Sequence, residues 1–310
     1  MDFSSVVFEI IVLFIIIFIG YIMRKRKIID TVFSKNLSTL LIKLTLPALI
    51  ISSMHIELDS EIIYNIQVIS LFTVVIYLLA ILLANLLTKI LPVPEDKKNI
   101  FIFLIVFGNV GYMGYPVLGV AYEELGIFYG LFNNIAFNVL AWTYGIYLFT
   151  STRDNQEKES SINWKHLLNN GIIAILIGFF LLLTGLRLPS PLLGAVDHLG
   201  NMTFPLSMLI IGSSLVGVNY REIITNRYIL LITLVKLLIF PGFILLLLQF
   251  ISLPEIVGNV SLLLTAMPCA ALSVVFAEKF DRDNQFAAQG VFTTTLLALF
   301  TIPLFLYLLG

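Results

Sequence analysis

Residues 108–116 read GNVGYMGYP and place three glycines and a proline inside a long apolar run. A second apolar run, nearer the C-terminus, is interrupted at residues 267–271 by MPCAA. Glycine weakens a helix, and proline removes an amide donor and clashes with the preceding turn. Inside a bilayer, broken backbone is tolerated only where protein or a water-filled cavity satisfies its polar groups. The two breaks therefore predict discontinuous helices near the midplane of a membrane.

The composition agrees with a membrane protein. Of 310 residues, 59% are hydrophobic and 12% are charged, and the mean hydropathy is +1.01, outside the usual range of soluble domains. Lys and Arg total 18 against 19 Asp and Glu, so no basic surplus attracts nucleic acid. The single cysteine, Cys269, excludes an internal disulfide and a thiolate metal cluster. We expect no metal, no cofactor and no nucleic-acid partner.

Nearly uncharged runs, each close to the roughly 20 residues that a membrane helix needs, recur about ten times. They are approximately Val6 to Met23, Leu37 to Met54, Ile66 to Leu87, Ile100 to Tyr122, Ile127 to Thr150, Gly171 to Leu186, Leu199 to Val218, Tyr228 to Ile251, Val260 to Ala277 and Gly290 to Leu309. Basic residues concentrate in alternate loops. The other set of loops contains a single basic residue, Arg187. The positive-inside rule then places both termini outside the cytoplasm. We expect a multi-pass protein of the plasma membrane.

An internal repeat divides the chain. Thr45-Leu46-Pro47 in the second run matches Thr203-Phe204-Pro205 in the seventh, 158 residues later. The same offset places Val110 opposite Pro268, so the two breaks occupy matching positions. Five spans per half is an odd number, which makes the repeat inverted, as in many secondary transporters. We predict a first repeat over 1–150, a cytoplasmic linker over 151–166 and a second repeat over 167–310.

These motifs resemble the auxin efflux carrier family over nearly the whole chain. Gly108 to Tyr122 is similar to its fourth helix, in which an Asn precedes small residues and a Met-Gly-x-Pro step. Ala266 to Pro303 resembles the ninth and tenth helices, with a Met-Pro break, a Val-Phe-Ala-x-x-Phe turn and a closing proline. Pro205-Leu206-Ser207 resembles the seventh helix of bacterial members. The bacterial branch is the better match, since the long central loop of plant members is absent, Gly108 replaces their proline, and Tyr64 to Ser70 lacks their acidic residue and lysine.

The resemblance implies an all-α fold of two inverted five-helix repeats, in which broken fourth and ninth helices cross. Helices 1, 2, 6 and 7 would form a scaffold, and helices 3–5 and 8–10 a core that moves by elevator-type alternating access. It also implies small carboxylate substrates, which are auxin in plants and malonate- or malate-like acids in bacteria. Proton or sodium is the expected coupling ion, the bilayer is the surrounding partner, and a homodimer is one option for the assembly.

The candidate site follows from the breaks. Half-helix N-termini present free N–H groups and positive dipole ends, which suit a carboxylate. The predicted substrate-binding residues are Asn109, Val110, Gly111, Tyr112, Gly114, Asn134, Pro268, Cys269 and Ala270. The predicted hinge or crossover residues are Gly108, Pro116, Pro47, Pro205 and Pro268. Lys43 and Lys236, the cations deepest in predicted spans, are candidates for coupling or for a counter-charge to the substrate.

Other functions fit the sequence less well. A sodium-coupled carrier of the bile-acid type would have the same architecture, but such carriers line their sodium sites with several acids, and this core has few. A channel fits the hydropathy but not the matched breaks. An intramembrane enzyme needs a dyad such as Ser with His or paired Asp at membrane depth. No Asp lies inside a predicted span, and the three histidines lie near loops. We therefore expect a transporter of small organic anions and not an enzyme.

The predicted topology is testable with single cysteines. In a Cys269→Ser background, Ser4→Cys and Ser160→Cys should react with an impermeant thiol reagent from opposite sides of intact vesicles, because the first lies outside and the second in the cytoplasmic linker. Labelling from the same side would contradict both the topology and the inverted repeat.

Overall fold

A computed structural model describes residues 3–151, 170–216 and 225–309 of the chain. The described residues are helical and contain no β-strand, only one isolated β-bridge. From residue 152 onward, the predicted linker lies outside the described residues. The predicted all-α membrane fold class is therefore present at the level of secondary structure.

The helices fall on either side of the linker. Residues 3–151 form α1 (Phe3–Lys25), α2 (Thr31–Leu40), α3 (Leu46–Ser53), α4 (Ser60–Ile90), α5 (Glu95–Val106), α6 (Tyr115–Leu140) and α7 (Ile146–Thr150). Residues from 170 onward form α8 (Asn170–Thr184), α9 (Ser190–Asn201), α10 (Thr203–Ser214), α11 (Arg227–Leu234), α12 (Phe240–Leu248), α13 (Glu255–Thr265), α14 (Leu272–Lys279) and α15 (Asn284–Leu309). Short π-helical turns occur at Leu41–Thr45, Val110–Gly114, Ala141–Gly145 and Val235–Ile239.

Prolines explain most of the π turns. Three of the four in the described ranges end two residues before a proline, namely Pro47, Pro116 and Pro241. A proline lacks an N–H, and its ring clashes with the carbonyl four residues earlier. A wider turn relieves that clash without ending the helix, and such single turns are frequent at functional sites.

Within the described ranges, six helical stretches are long and apolar enough to cross a membrane. They are Val6–Lys25, Thr31–Ser53, Ser60–Ile90, Val110–Thr150, Arg227–Leu248 and Asn284–Leu309, with shorter apolar helices at Asn170–Thr184 and Glu255–Thr265. Large apolar side chains on their outer faces are exposed, as at Leu71, Leu78 and Leu82 of α4. A water-soluble protein would not expose so much apolar surface. The chain is therefore a multi-pass membrane protein.

The longest stretch, Val110–Thr150, is a hairpin of two arms. Tyr122 and Glu123 have non-helical backbone angles, and Glu123 has a φ of 54°. Beyond this turn, a Cβ on Gly130 would lie 3.5 Å from Cε1 of Tyr115. In a straight helix, residues 15 apart would be separated by roughly 22 Å. The chain therefore reverses at Glu123, between the predicted fourth and fifth runs.

Several observed helices begin earlier than the predicted runs, and the difference is largest for the seventh run. The sequence predicts this run at Leu199 to Val218, but the helix begins at Ser190 and is divided at Met202 into α9 and α10. The early start follows from Pro189 and Pro191, which favour the first positions of a helix. The end of this run at Val218 lies outside the described residues.

The chain divides into two compact units, each assembled from three segments. The first comprises Met1–Gln67, Gly111–Phe132 and Lys165–Val216. Within it α1 packs against α10, and α3 against α8 and α9. The α1–α10 contact is a close backbone approach that depends on glycine: a Cβ on Gly212 would lie 1.9 Å from the carbonyl oxygen of Ile17.

The second unit comprises Val68–Val110, Asn133–Trp164 and Gly217–Gly310. Helix α5 is central to it, since every residue from Ile100 to Val106 is buried, and α7, α11 and α15 pack around it. Phe103 on α5 contacts the rings of Phe107, Phe149 and Phe276. The break that follows α5 therefore lies in a tightly enclosed part of this unit.

Candidate functional site

Two interruptions in buried helices lie in the second unit. Helix α5 ends at Val106, and Phe107 after it has extended backbone angles. Helix α13 ends at Thr265, and the next helix begins only at Leu272. These interruptions coincide with the glycine- and proline-containing segments that the sequence marks as breaks.

The two unwound segments pair with each other through their backbones. The N–H of Asn109 donates to the carbonyl oxygen of Pro268 at 2.7 Å, and the N–H of Ala270 donates to that of Phe107 at 2.9 Å. Together they form one antiparallel bridge. Each break thus supplies hydrogen-bond partners to the other, which is what buried irregular backbone requires.

The break amides are mostly occupied. Besides the two amides in the bridge, the N–H of Cys269 donates to Oγ1 of Thr294 at 3.1 Å, and the N–H of Val110 to the carbonyl of Gly108 at 2.9 Å. The expectation that the breaks present free N–H groups to a carboxylate is wrong for these four amides. These four N–H groups are therefore not available to a ligand.

Cys269 has the environment of a structural thiol. Its side chain is fully buried, and its thiol donates to the carbonyl oxygen of Leu104 at 3.1 Å. A cysteine buried in apolar surroundings is inert. We therefore expect slow modification of the native protein by hydrophilic thiol reagents.

A small cavity lies beside Gly108, wholly within the second unit. Its volume is about 20 Å³, counted as the space that the centre of a water molecule can occupy. This is enough for one or two waters. Its lining residues are Ile76, Tyr77, Val106, Gly108, Val110, Asn133, Lys236, Phe240, Leu264 and Thr265. The cavity therefore combines an apolar wall with four polar side chains, one of them a cation.

Lys236 brings that cation to the break. Its side chain is only 2% exposed, and its Nζ would lie 3.3 Å from a Cβ on Gly108. Because glycine has no Cβ, the ammonium can approach the unwound backbone at this point. Lys43, the other predicted cation, is exposed in the first unit. The two lysines thus differ in burial, which the sequence alone does not show.

The predicted site residues divide between the two units. Those gathered in the second unit at the paired breaks are Gly108, Asn109, Val110, Pro268, Cys269 and Ala270. The first unit holds Gly111, Tyr112, Gly114, Pro116, Pro47 and Pro205. Of the predicted substrate-binding residues, only Val110 lines the cavity.

The asparagine cluster on α6 points to a different residue from the one predicted. Asn138 donates its side-chain amide to the Oδ1 of Asn134, so that pair links successive turns of one helix. Asn133 lines the cavity instead, and its Oδ1 accepts from the hydroxyl of Tyr77 at 3.4 Å. Asn133 lies one helical turn before Phe137, whose ring contacts Phe107 beside the break. The sequence alone does not show that contact.

Sequence reasoning also missed two other polar cavity residues, Tyr77 and Thr265. Both belong to apolar helical runs, where a single hydroxyl resembles ordinary packing. No pattern in the sequence places either of them at the break.

Several apolar helices long enough to span a bilayer, with paired broken helices in a buried core, are the features of a multi-pass membrane transporter. The family model described as "Membrane transport protein" matches residues 5–306. The chain therefore belongs to this family, that of the auxin efflux carriers. Membership confirms the predicted family and makes the protein a transporter and not an enzyme.

Two archaeal proteins are similar to the chain over almost their entire lengths. An uncharacterised transporter of Methanocaldococcus jannaschii is 25% identical, with 97% of each chain covered. An uncharacterised transporter of Methanothermobacter thermautotrophicus is 22% identical, with 94% of each chain covered. The similarity thus extends across both units and is not confined to the breaks.

The contact between Cys269 and Thr294 is testable with a matched pair of variants. Thr294→Val and Thr293→Val each remove a buried hydroxyl that donates to the carbonyl four residues earlier. Only Thr294→Val also leaves the amide of Cys269 unpaired, at a cost of about 1–3 kcal/mol. We expect Thr294→Val to lower the melting temperature further and to speed alkylation of Cys269 in detergent. Equal alkylation rates in the two variants would show that this hydrogen bond does not hold the break.

Proposed function

We propose that the chain is a secondary transporter of small organic anions, namely mono- or dicarboxylates and auxin-like acids, that bind at the paired breaks. The observation that carries this proposal is the bridge between residues 107–109 and 268–270, beside a small polar cavity in the buried core of the second unit. Continuous helices would satisfy the same backbone at lower cost. A function is the physical reason to retain two such interruptions side by side.

The charge of the unit supports an anion as substrate. Lys236 is buried, whereas no aspartate or glutamate is buried anywhere in the described ranges. A sodium site of the bile-acid-carrier type draws on acidic side chains, so this distribution disfavours that alternative carrier. The proposed coupling ion is proton or sodium.

The proposed architecture is ten spans in two inverted repeats, with fourth and ninth helices that cross at the breaks. The hairpin at Glu123 supports this count, because it turns one long helical stretch into two arms. The matched positions of the breaks, 158 residues apart in sequence, support the repeat. The proposal keeps both termini extracytoplasmic, the plasma membrane as location and a homodimer as assembly.

Elevator-type alternating access is the proposed mechanism. Its scaffold of helices 1, 2, 6 and 7 is supported by the first unit, which contains α1–α3 and α8–α10. The second unit contains α5, α7 and α11–α15, with most of α4, and includes the paired breaks. One difference from the prediction is that residues 111–132, from the fourth and fifth runs, belong to the first unit. In this proposal the second unit carries the bound anion across the bilayer.

Uptake of carboxylates by reconstituted protein tests the function and the site together. Asn109→Ala should lower uptake of the best substrate by at least about tenfold, because a buried amide beside the bridge is worth 1–3 kcal/mol to a bound anion. Asn85→Ala is the matched control, since Asn85 bonds to Tyr144 in the same unit and lies on α4, outside both breaks. Its uptake should stay near that of the wild type.

Two results would contradict this proposal. Wild-type protein that transports no mono- or dicarboxylate, with either coupling ion and across pH, would exclude the substrate class. Unchanged uptake by Asn109→Ala, in protein that elutes as the wild type does from size exclusion, would move the site away from the breaks.

A further inference from the structure

Lys236 lies deep within a membrane-spanning helical stretch. It belongs to the π turn Val235–Ile239 of the stretch Arg227–Leu248, nine residues from its beginning and twelve from its end. At a rise of 1.5 Å per residue, these ends are roughly 14 and 18 Å away. Lysines near helix ends extend their ammonium groups to the interface, but this distance exceeds the reach of a lysine side chain.

The ammonium has no anionic partner in the parts of the chain that the structure describes. No hydrogen bond or ion pair to its Nζ occurs there, although the side chain is only 2% exposed. An uncompensated buried charge costs several kcal/mol. Packing alone does not account for this lysine, because an apolar side chain of similar length would fill the same space at lower cost.

The surroundings of the ammonium suit one carboxylate group. Tyr77, Asn133 and Thr265 line the same cavity and are neutral. The Oδ1 of Asn133 accepts from Tyr77, which leaves its NH₂ group to donate. No acid and no second cation is among the lining residues. The space holds one or two waters, which a carboxylate head would displace.

We propose that Lys236 is the counter-charge of the transported carboxylate, and that this single cation makes the site selective for monocarboxylates. The inference rests on the proposed function and names its charge-bearing residue. A monoanion cancels the buried charge of Lys236 and leaves the occupied cavity neutral. A dianion brings a second charge that no lining residue pairs, and an unpaired buried charge opposes binding. Selectivity then follows from charge balance.

Thermal shift and uptake of four proteins test this inference. They are the wild type, Lys236→Met, Lys236→Arg and Lys43→Met, each measured with short monocarboxylates and with dicarboxylates of matched length. Lys43 is a matched control because it also lies in a π turn before a proline, yet is exposed. In the wild type, a monocarboxylate should raise the melting temperature at lower concentration than the matched dicarboxylate.

Lys236→Met should weaken monocarboxylate binding by about 100-fold, the cost of removing one partner of a buried ion pair. Without ligand, its melting temperature should equal or exceed that of the wild type, because an unpaired buried charge is gone. Lys236→Arg should retain part of the ligand-induced shift, and Lys43→Met all of it. Low ligand-free stability of Lys236→Met would instead indicate a structural lysine and overturn the inference.

The outcomes for the two proposals are distinguishable. If the wild type binds and transports carboxylates and Lys236→Met does so equally well, Lys236 is not the counter-charge and the proposed function stands. If dicarboxylates bind as tightly as monocarboxylates, the charge-balance argument fails. If the wild type neither binds nor transports any carboxylate, the proposed function fails, and with it the inference.

Discussion

Every backbone N–H and C=O inside a bilayer must find a partner within the protein. This requirement governs the centre of the second unit. The segments at 107–109 and 268–270 leave their helices, and each provides the partners that the other lacks, through two backbone hydrogen bonds of 2.7 and 2.9 Å. The arrangement requires a tightly enclosed site, which the fully buried end of α5 and the aromatic cluster around Phe103 supply.

The same pairing limits where the proposed anion can be recognised. Backbone N–H groups that donate to carbonyl oxygens of the opposite segment are not available to a ligand. Under the proposed function, the positive charge that attracts the anion is therefore on a side chain. Lys236 is the buried cation at this place in the described structure, and Gly108 permits its approach because it has no Cβ. In the proposed mechanism, this unpaired charge lowers the stability of the ligand-free protein and favours binding of a monoanion.

Sequence reasoning found the breaks because glycine and proline have strong local effects, and it found the family because motifs recur around them. The N–H groups of Asn109 and Ala270, expected to be free, donate to the carbonyl oxygens of Pro268 and Phe107, which no local rule could show. The i, i+4 pair of Asn134 and Asn138 predicts Asn134 as the residue that faces the substrate, but the two side chains bond to each other. The different burial of Lys43 and Lys236 depends on tertiary packing, so their spacing to Pro47 and Pro241 could not predict it.

Charge recognition at the paired breaks is the central claim, and comparison of an acid with its own amide tests it most directly. A monocarboxylic acid and its carboxamide have nearly the same shape and differ in charge. Measured by calorimetry on the purified wild-type protein, the carboxylate should bind and the carboxamide should bind at least about 100-fold more weakly. Equal affinity for the two ligands would contradict an anion site built around a buried cation.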